Sequence, residues 1–103
     1  MDRLAKLRSL FEADPSDADV PYMIAQEHMT NGDFPAALEW FDRCLALDAD
    51  YHYAYYHKAR ALESMENVDA AASTLRDGLA RAQAAGNGKA SGEISEFLAS
   101  LGQ

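Results

Sequence analysis

An internal repeat of 34 residues is the feature of this sequence that most restricts its fold. Residues 32–37 (GDFPAA) align with residues 66–71 (ENVDAA) when the chain is shifted by 34 positions. A repeat of this length indicates a stack of similar supersecondary units, each of which buries its apolar face against the next. The same shift superposes Ala25 on Ala59, Phe41 on Leu75, Leu45 on Leu79 and Cys44 on Gly78.

Apolar residues recur at helical spacing along nearly the whole chain, and no strand-like alternation of any length is present,. The pattern predicts an all-α fold in which short loops join helices into antiparallel pairs. Leu4, Leu7 and Phe11 share one face of the first predicted helix,. The predicted helices cover about residues 2–13, then run from Pro21 to Asn31-Gly32, from Asp33 onward, over about 51–65, from Asn67 or Asp69 to about 85, and over 90–101.

The repeat resembles the tetratricopeptide repeat family, whose units follow the pattern W-x2-L-G-x2-Y, then A-x3-F, then P. The first unit departs at Pro21 (for tryptophan) and Ala49 (for the closing proline), and the second departs at Lys58 (for leucine). The matching positions are Ile24-Ala25, His28, Gly32-Asp33-Phe34 and Ala37-x3-Phe41 in the first unit, and Tyr55, Ala59, Leu62 and Ala71-x3-Leu75 in the second.

The resemblance implies a short α-solenoid that forms one domain over residues 1–103. It would contain about two full repeats, preceded by a half-repeat helix and followed by a capping helix. The predicted boundaries are 1–17 for the N-terminal half repeat, 18–51 for repeat 1, 52–85 for repeat 2 and 90–101 for the capping helix.

Charge and composition exclude several classes of function. The chain has 17 acidic and 9 basic residues and a net charge of -8, which disfavours binding to nucleic acid or to an anionic membrane surface,. No apolar run approaches the roughly 18 residues of a transmembrane helix, and no signal-peptide pattern is present,. The single cysteine, Cys44, is predicted to fill a small buried position,. Cytoplasmic localisation is the default expectation.

The resemblance implies a protein-interaction module that holds a peptide segment or helix of a partner in its concave groove. In this family the first helix of each unit lines that groove. The family positions fall on Asp19, Tyr22, Met23, Gln26 and Met29 in the first unit, and on Tyr53, Tyr56, His57, Arg60 and Glu63 in the second. A neighbouring unit or the terminal helix could instead cover this face. The basic clamp with which some members grip chaperone tails is absent, since its places hold Tyr22, Gln26 and His57.

Two further hypotheses compete with the groove. The chain could be a self-assembling structural subunit, a weak homo-oligomer, that uses an exposed Leu4/Leu7/Phe11 stripe. A catalytic role for His57 with a nearby carboxylate is the weakest alternative, because no phosphate loop, HExxH or G-x-S-x-G motif is present,. His52 and His57 lie about 140° apart around a helix and diverge, so no metal or other cofactor is predicted,.

Overall fold

The computed structural model describes residues 2–102, and within that range it contains six α-helices and no strand. The all-α prediction is therefore confirmed. Every turn between consecutive helices is short. The helices are α1 (Arg3–Ala13), α2 (Asp19–Thr30), α3 (Phe34–Leu47), α4 (His52–Ser64), α5 (Val68–Ala84) and α6 (Gly88–Ser100).

The helices form two layers. Each helix packs against the next one along the chain, and α2 also approaches α4, as α4 approaches α6. The backbones of α1, α3 and α5 do not approach one another in the same way; α1 and α3 meet through side chains, with the rings of Phe11 and Trp40 5.3 Å apart. Because the helices on the inner side of a curved stack lie closest together, α2, α4 and α6 form the inner layer.

The core consists of two adjoining clusters. The first surrounds Ile24 and Phe41 at the junction of α1, α2 and α3, and the second surrounds Leu75 and Ile94 at the junction of α4, α5 and α6. Small residues allow the paired helices to approach closely, as their repeat positions predict. The four alanines at these positions, Ala25, Ala37, Ala59 and Ala71, are all fully buried.

The apolar stripe of α1 faces this core and not the solvent. Leu7 is buried, and Leu4 and Phe11 pack against the first cluster. The expectation that all three residues are exposed is therefore wrong for Leu7, whereas Leu4 and Phe11 are partly exposed, and self-assembly through this stripe stays a prediction. Leu10 is the large apolar side chain that α1 exposes, with 54% of its surface accessible.

Side-chain caps mark the starts of four helices, the first of which is α1, where Asp2 accepts a hydrogen bond from the backbone N–H of Ala5. Asp33 accepts a hydrogen bond from the backbone N–H of Ala36, as expected,. Asn67, and not Asp69, caps α5 by accepting from Ala70. The last helix begins at Gly88 and not near residue 90, because Asn87 provides its cap and its side chain also bonds to His52 at 3.2 Å. Lys58, which replaces the leucine of the repeat pattern, forms an ion pair with Asp42 of α3, with 2.7 Å between its Nζ and a carboxylate oxygen.

The turn after α4 contains a backbone conformation that favours glycine. Glu66 has φ of +62°, whereas Gly32 and Gly86 occupy the corresponding places after α2 and α5 with φ of +76° and +70°. A left-handed conformation costs a non-glycine residue about 1–2 kcal/mol. Glu66→Gly is therefore expected to raise the free energy of unfolding by about 1 kcal/mol. Glu96→Gly, at an exposed position inside α6, should lower it by about as much,. Urea denaturation measures both, and a loss of stability in both variants would contradict the assignment.

Candidate functional site

A cleft of about 390 Å³ opens between α2 and α4 on the inner layer. Four of the ten predicted groove residues line it: Gln26 and Met29 from α2, and His57 and Arg60 from α4. These residues occur together because positions three or four apart share one face of a helix, and the two faces meet where α2 approaches α4,.

His57 lies at the centre of a group of aromatic rings. Its ring centroid is 5.3 Å from that of Tyr56, 5.9 Å from that of Tyr22 and 6.4 Å from that of Phe41, with which it stacks. These separations are typical of packed aromatic pairs. The imidazole is thereby held between α2, α3 and α4, with one edge in the cleft.

The polar groups of the cleft are neutral except for Arg60. Burial, together with the nearby charge of Arg60, lowers the pKa of His57 below its usual value, so the imidazole is uncharged at neutral pH,. Burial raises the pKa of Tyr22 to about 12, and this phenol therefore also stays neutral. The Gln26 amide donates a hydrogen bond to the Tyr22 hydroxyl at 3.2 Å, which orients both side chains.

The last helix covers part of the predicted groove. The ring of Phe97 on α6 lies 5.1 Å from that of Tyr56, and both Tyr53 and Tyr56 pack against the second core cluster. Met23 and Tyr22 pack in the same way against the first cluster. These four residues are half-buried and do not line the cleft. The covering helix leaves the part of α4 that carries His57 and Arg60 open towards α2.

Three residues of the cleft were not predicted from the sequence: Thr30, Phe34 and Ser64. Thr30 follows Gln26 by four positions, and Ser64 follows Arg60 by four, so extending each helix face by one turn would have found them,. Phe34 is the first residue of α3, and nothing in the helical pattern of α2 or α4 indicates that it reaches this side.

The remaining histidines and the cysteine lie apart from the cleft. His28 is 7% exposed on α2, His52 bonds to Asn87, and Cys44 is fully buried, with its pKa raised to about 12 by burial. Residues 2–102 contain no group of three or more His, Cys, Asp or Glu side chains placed to hold a metal ion. None of the helices described here has the length and apolarity required to cross a membrane.

Comparison with known proteins agrees with this architecture. The family model described as tetratricopeptide repeat matches residues 28–91, which is more than half of the chain. The chain belongs to the tetratricopeptide repeat family. No curated protein matches the sequence at a significant level.

Several solved structures superpose closely on this one. A tetratricopeptide repeat domain protein from Salinibacter ruber has 30% sequence identity and a TM-score of 0.79, and the match covers 85% of this chain and 89% of that one. PcrH, solved in complex with the chaperone binding region of PopD, has 17% identity and a TM-score of 0.87, covering 95% and 74%. The type III secretion translocator chaperone SycD from Yersinia enterocolitica has 15% identity and a TM-score of 0.85, covering 95% and 68%. At these lower identities the similarity shows the fold alone.

Proposed function

We propose that this protein is a non-enzymatic interaction module that binds a peptide segment or helix of a partner protein on its inner face. The division into a half repeat (1–17), two repeats (18–51 and 52–85) and a terminal helix is part of the same proposal. The main observation in its support is the open cleft between α2 and α4, which four of the ten predicted groove residues line.

The residues that line the cleft are better suited to binding a peptide than to catalysing a reaction. Met29 and Phe34 provide apolar contact, while Gln26, Ser64 and Arg60 provide polar groups that can bond to a backbone or a side chain,. Within the described residues no carboxylate lines the cleft, so His57 has no acidic partner there with which to act as a catalytic pair,. PcrH, which has the same fold, was solved with a segment of its partner PopD.

The proposal is tested by selecting binders from a displayed library of random peptides and mapping the strongest one by NMR. We expect its backbone amide shifts to cluster on α2 and α4 around Met29 and Arg60. Met29→Ala should lower the affinity for this peptide by about tenfold, as is typical when an apolar contact at the centre of an interface is removed. Thermal unfolding of the same variant shows whether the fold is intact.

Met65→Ala is the matched control, because Met65 is the capping residue that follows α4, is exposed and does not line the cleft. It should bind the selected peptide as the wild type does. The proposal is wrong if no peptide is enriched, if the shifts map to α3 and α5, or if the two methionine variants lose equal affinity.

A further inference from the structure

The cleft between α2 and α4 has a charge opposite to that of the molecule. The chain carries 17 acidic and 9 basic residues, yet the residues that line this cleft include Arg60 and His57 and no carboxylate. Two other surface clefts differ in this respect, since one contains Glu12 and Glu39 and the other contains Asp77. A positive group in a cleft without acid attracts an anion more strongly than the rest of an acidic surface does.

Arg60 is also free to pair with a ligand. It is exposed, and it forms no ion pair with any residue between 2 and 102. In the other two clefts Arg43 pairs with Glu39 at 3.0 Å and Arg81 lies 3.6 Å from Asp50, while Arg8 shares its cleft with the carboxylates of Glu12 and Glu39. A guanidinium that has no partner presents its donors to an incoming oxyanion without first breaking a bond.

The surroundings of Arg60 limit the anion to one of low charge. The His57 imidazole is neutral, and the hydroxyl of Thr30 is used within α2, where it donates to the carbonyl oxygen of Gln26 at 3.2 Å. One full positive charge therefore faces the ligand. It balances a single carboxylate, whereas a phosphate group carries up to two negative charges at neutral pH. Met29 and Phe34 complete the cleft with an apolar wall.

We propose that the cleft binds the side-chain carboxylate of an aspartate or glutamate in the partner segment through Arg60, with a neighbouring apolar residue of that segment packed on Met29 and Phe34. This assignment rests on the proposed function and specifies the chemistry of its partner. The partner is thus an acidic and apolar segment, and the acidic surface of this protein away from the cleft would repel such a segment in any other position.

His57 supplies a signature of this binding mode. Its neighbours on α4 are Arg60 and Tyr56, and its neighbour on α2 is Tyr22. On α3 it stacks with Phe41, which has no titratable group. Of these neighbours only Arg60 carries charge at neutral pH. A carboxylate bound beside Arg60 offsets that charge, so it raises the pKa of His57 and couples binding to proton uptake. Affinity should therefore increase as the pH falls towards the range in which His57 titrates.

The test uses two peptides blocked at both ends and taken from the strongest selected binder, one with glutamate at its acidic position and one with glutamine. The glutamate peptide should bind the wild type about tenfold more tightly, as expected for a hydrogen bond between charged groups. The two peptides should bind Arg60→Gln equally. Arg76→Gln is the matched control, because Arg76 is exposed on α5 and does not line the cleft. This variant should keep the tenfold preference for the glutamate peptide. NMR titration of the imidazole should show a higher pKa for His57 with the glutamate peptide than with the glutamine peptide.

Each failure has a separate meaning. Equal binding of the two peptides to the wild type, or selected binders without an acidic position, overturns the carboxylate assignment while the groove stands. Tighter binding of a phosphoserine peptide assigns the site to phosphate, and binding that requires a free C-terminus assigns it to a terminal carboxylate; either result overturns the side-chain assignment. A preference for glutamate that persists in Arg60→Gln excludes Arg60 as its origin. If no peptide is selected, the proposed function fails together with this inference.

Discussion

Leu75→Ala is expected to lower the free energy of unfolding by about 2–5 kcal/mol, the range for truncating a leucine in a packed core. Leu75 has no exposed surface and lies on α5 within the second core cluster, which also contains Ile94 of α6. Its surroundings include several alanines, which cannot move to fill the space that the missing atoms leave. A domain of this size is stabilised by about 5–15 kcal/mol, so the variant would lose a large share of its stability.

Leu10→Ala is the matched control for this variant. Leu10 is 54% exposed on α1, and its truncation should change the free energy of unfolding by no more than about 0.5 kcal/mol,. Urea denaturation followed by circular dichroism measures both. The fluorescence of Trp40, which belongs to the first cluster, shows whether the two halves unfold together. We expect both signals to change at the same urea concentration, because Ala54 of α4 belongs to the first cluster and joins the halves,. Equal losses in the two leucine variants would contradict the core assignment.

The repeat predicted the order of the helices and most of the core, because burial at fixed spacing is a local property of the sequence. It did not predict where α6 begins. The second helix of the first unit, α3, has 14 residues, whereas its counterpart α5 has 17, so the 34-residue shift no longer applies beyond α5. The cap at Asn87 then determines the start of α6. It was not predicted, because the sequence Gly86-Asn87-Gly88 is typical of a turn.

The candidate site was predicted in part, for a related reason. Helix faces could be assigned for α2 and α4 separately, which located Gln26, Met29, His57 and Arg60. Contacts between distant segments could not be predicted, because no spacing in the sequence encodes them. The contact between the tilted rings of Phe97 and Tyr56 and the approach of Phe34 to the cleft are contacts of this kind. They determine which part of the inner face remains open.

Gly78→Ala is expected to destabilise the protein although alanine favours helices more than glycine does. A Cβ atom at Gly78 would lie 2.6 Å from the Cβ and 2.8 Å from the Cγ of Tyr55, so α4 and α5 would have to move apart. Overpacking of this kind costs about 1–3 kcal/mol, of which the helix preference of alanine offsets about 1 kcal/mol. We expect a net loss of up to about 2 kcal/mol. The repeat supports this interpretation. In the first unit Pro21 occupies the place of Tyr55 and Cys44 the place of Gly78, so a smaller ring is paired there with a larger residue.

Gly92→Ala isolates the effect of the helix preference. Gly92 lies inside α6, and a Cβ atom there would meet nothing within 4 Å, so this variant should gain about 1 kcal/mol,. The same substitution thus has opposite signs at two helical glycines, and urea denaturation gives both values. Gly78→Ala should not be destabilising in a Tyr55→Gly background, because that background lacks the Cβ and ring atoms of Tyr55 that the new methyl group would meet. If Gly78→Ala is as stabilising as Gly92→Ala, then α4 and α5 are not in contact at this point, and the close approach of paired helices within the second unit is wrong.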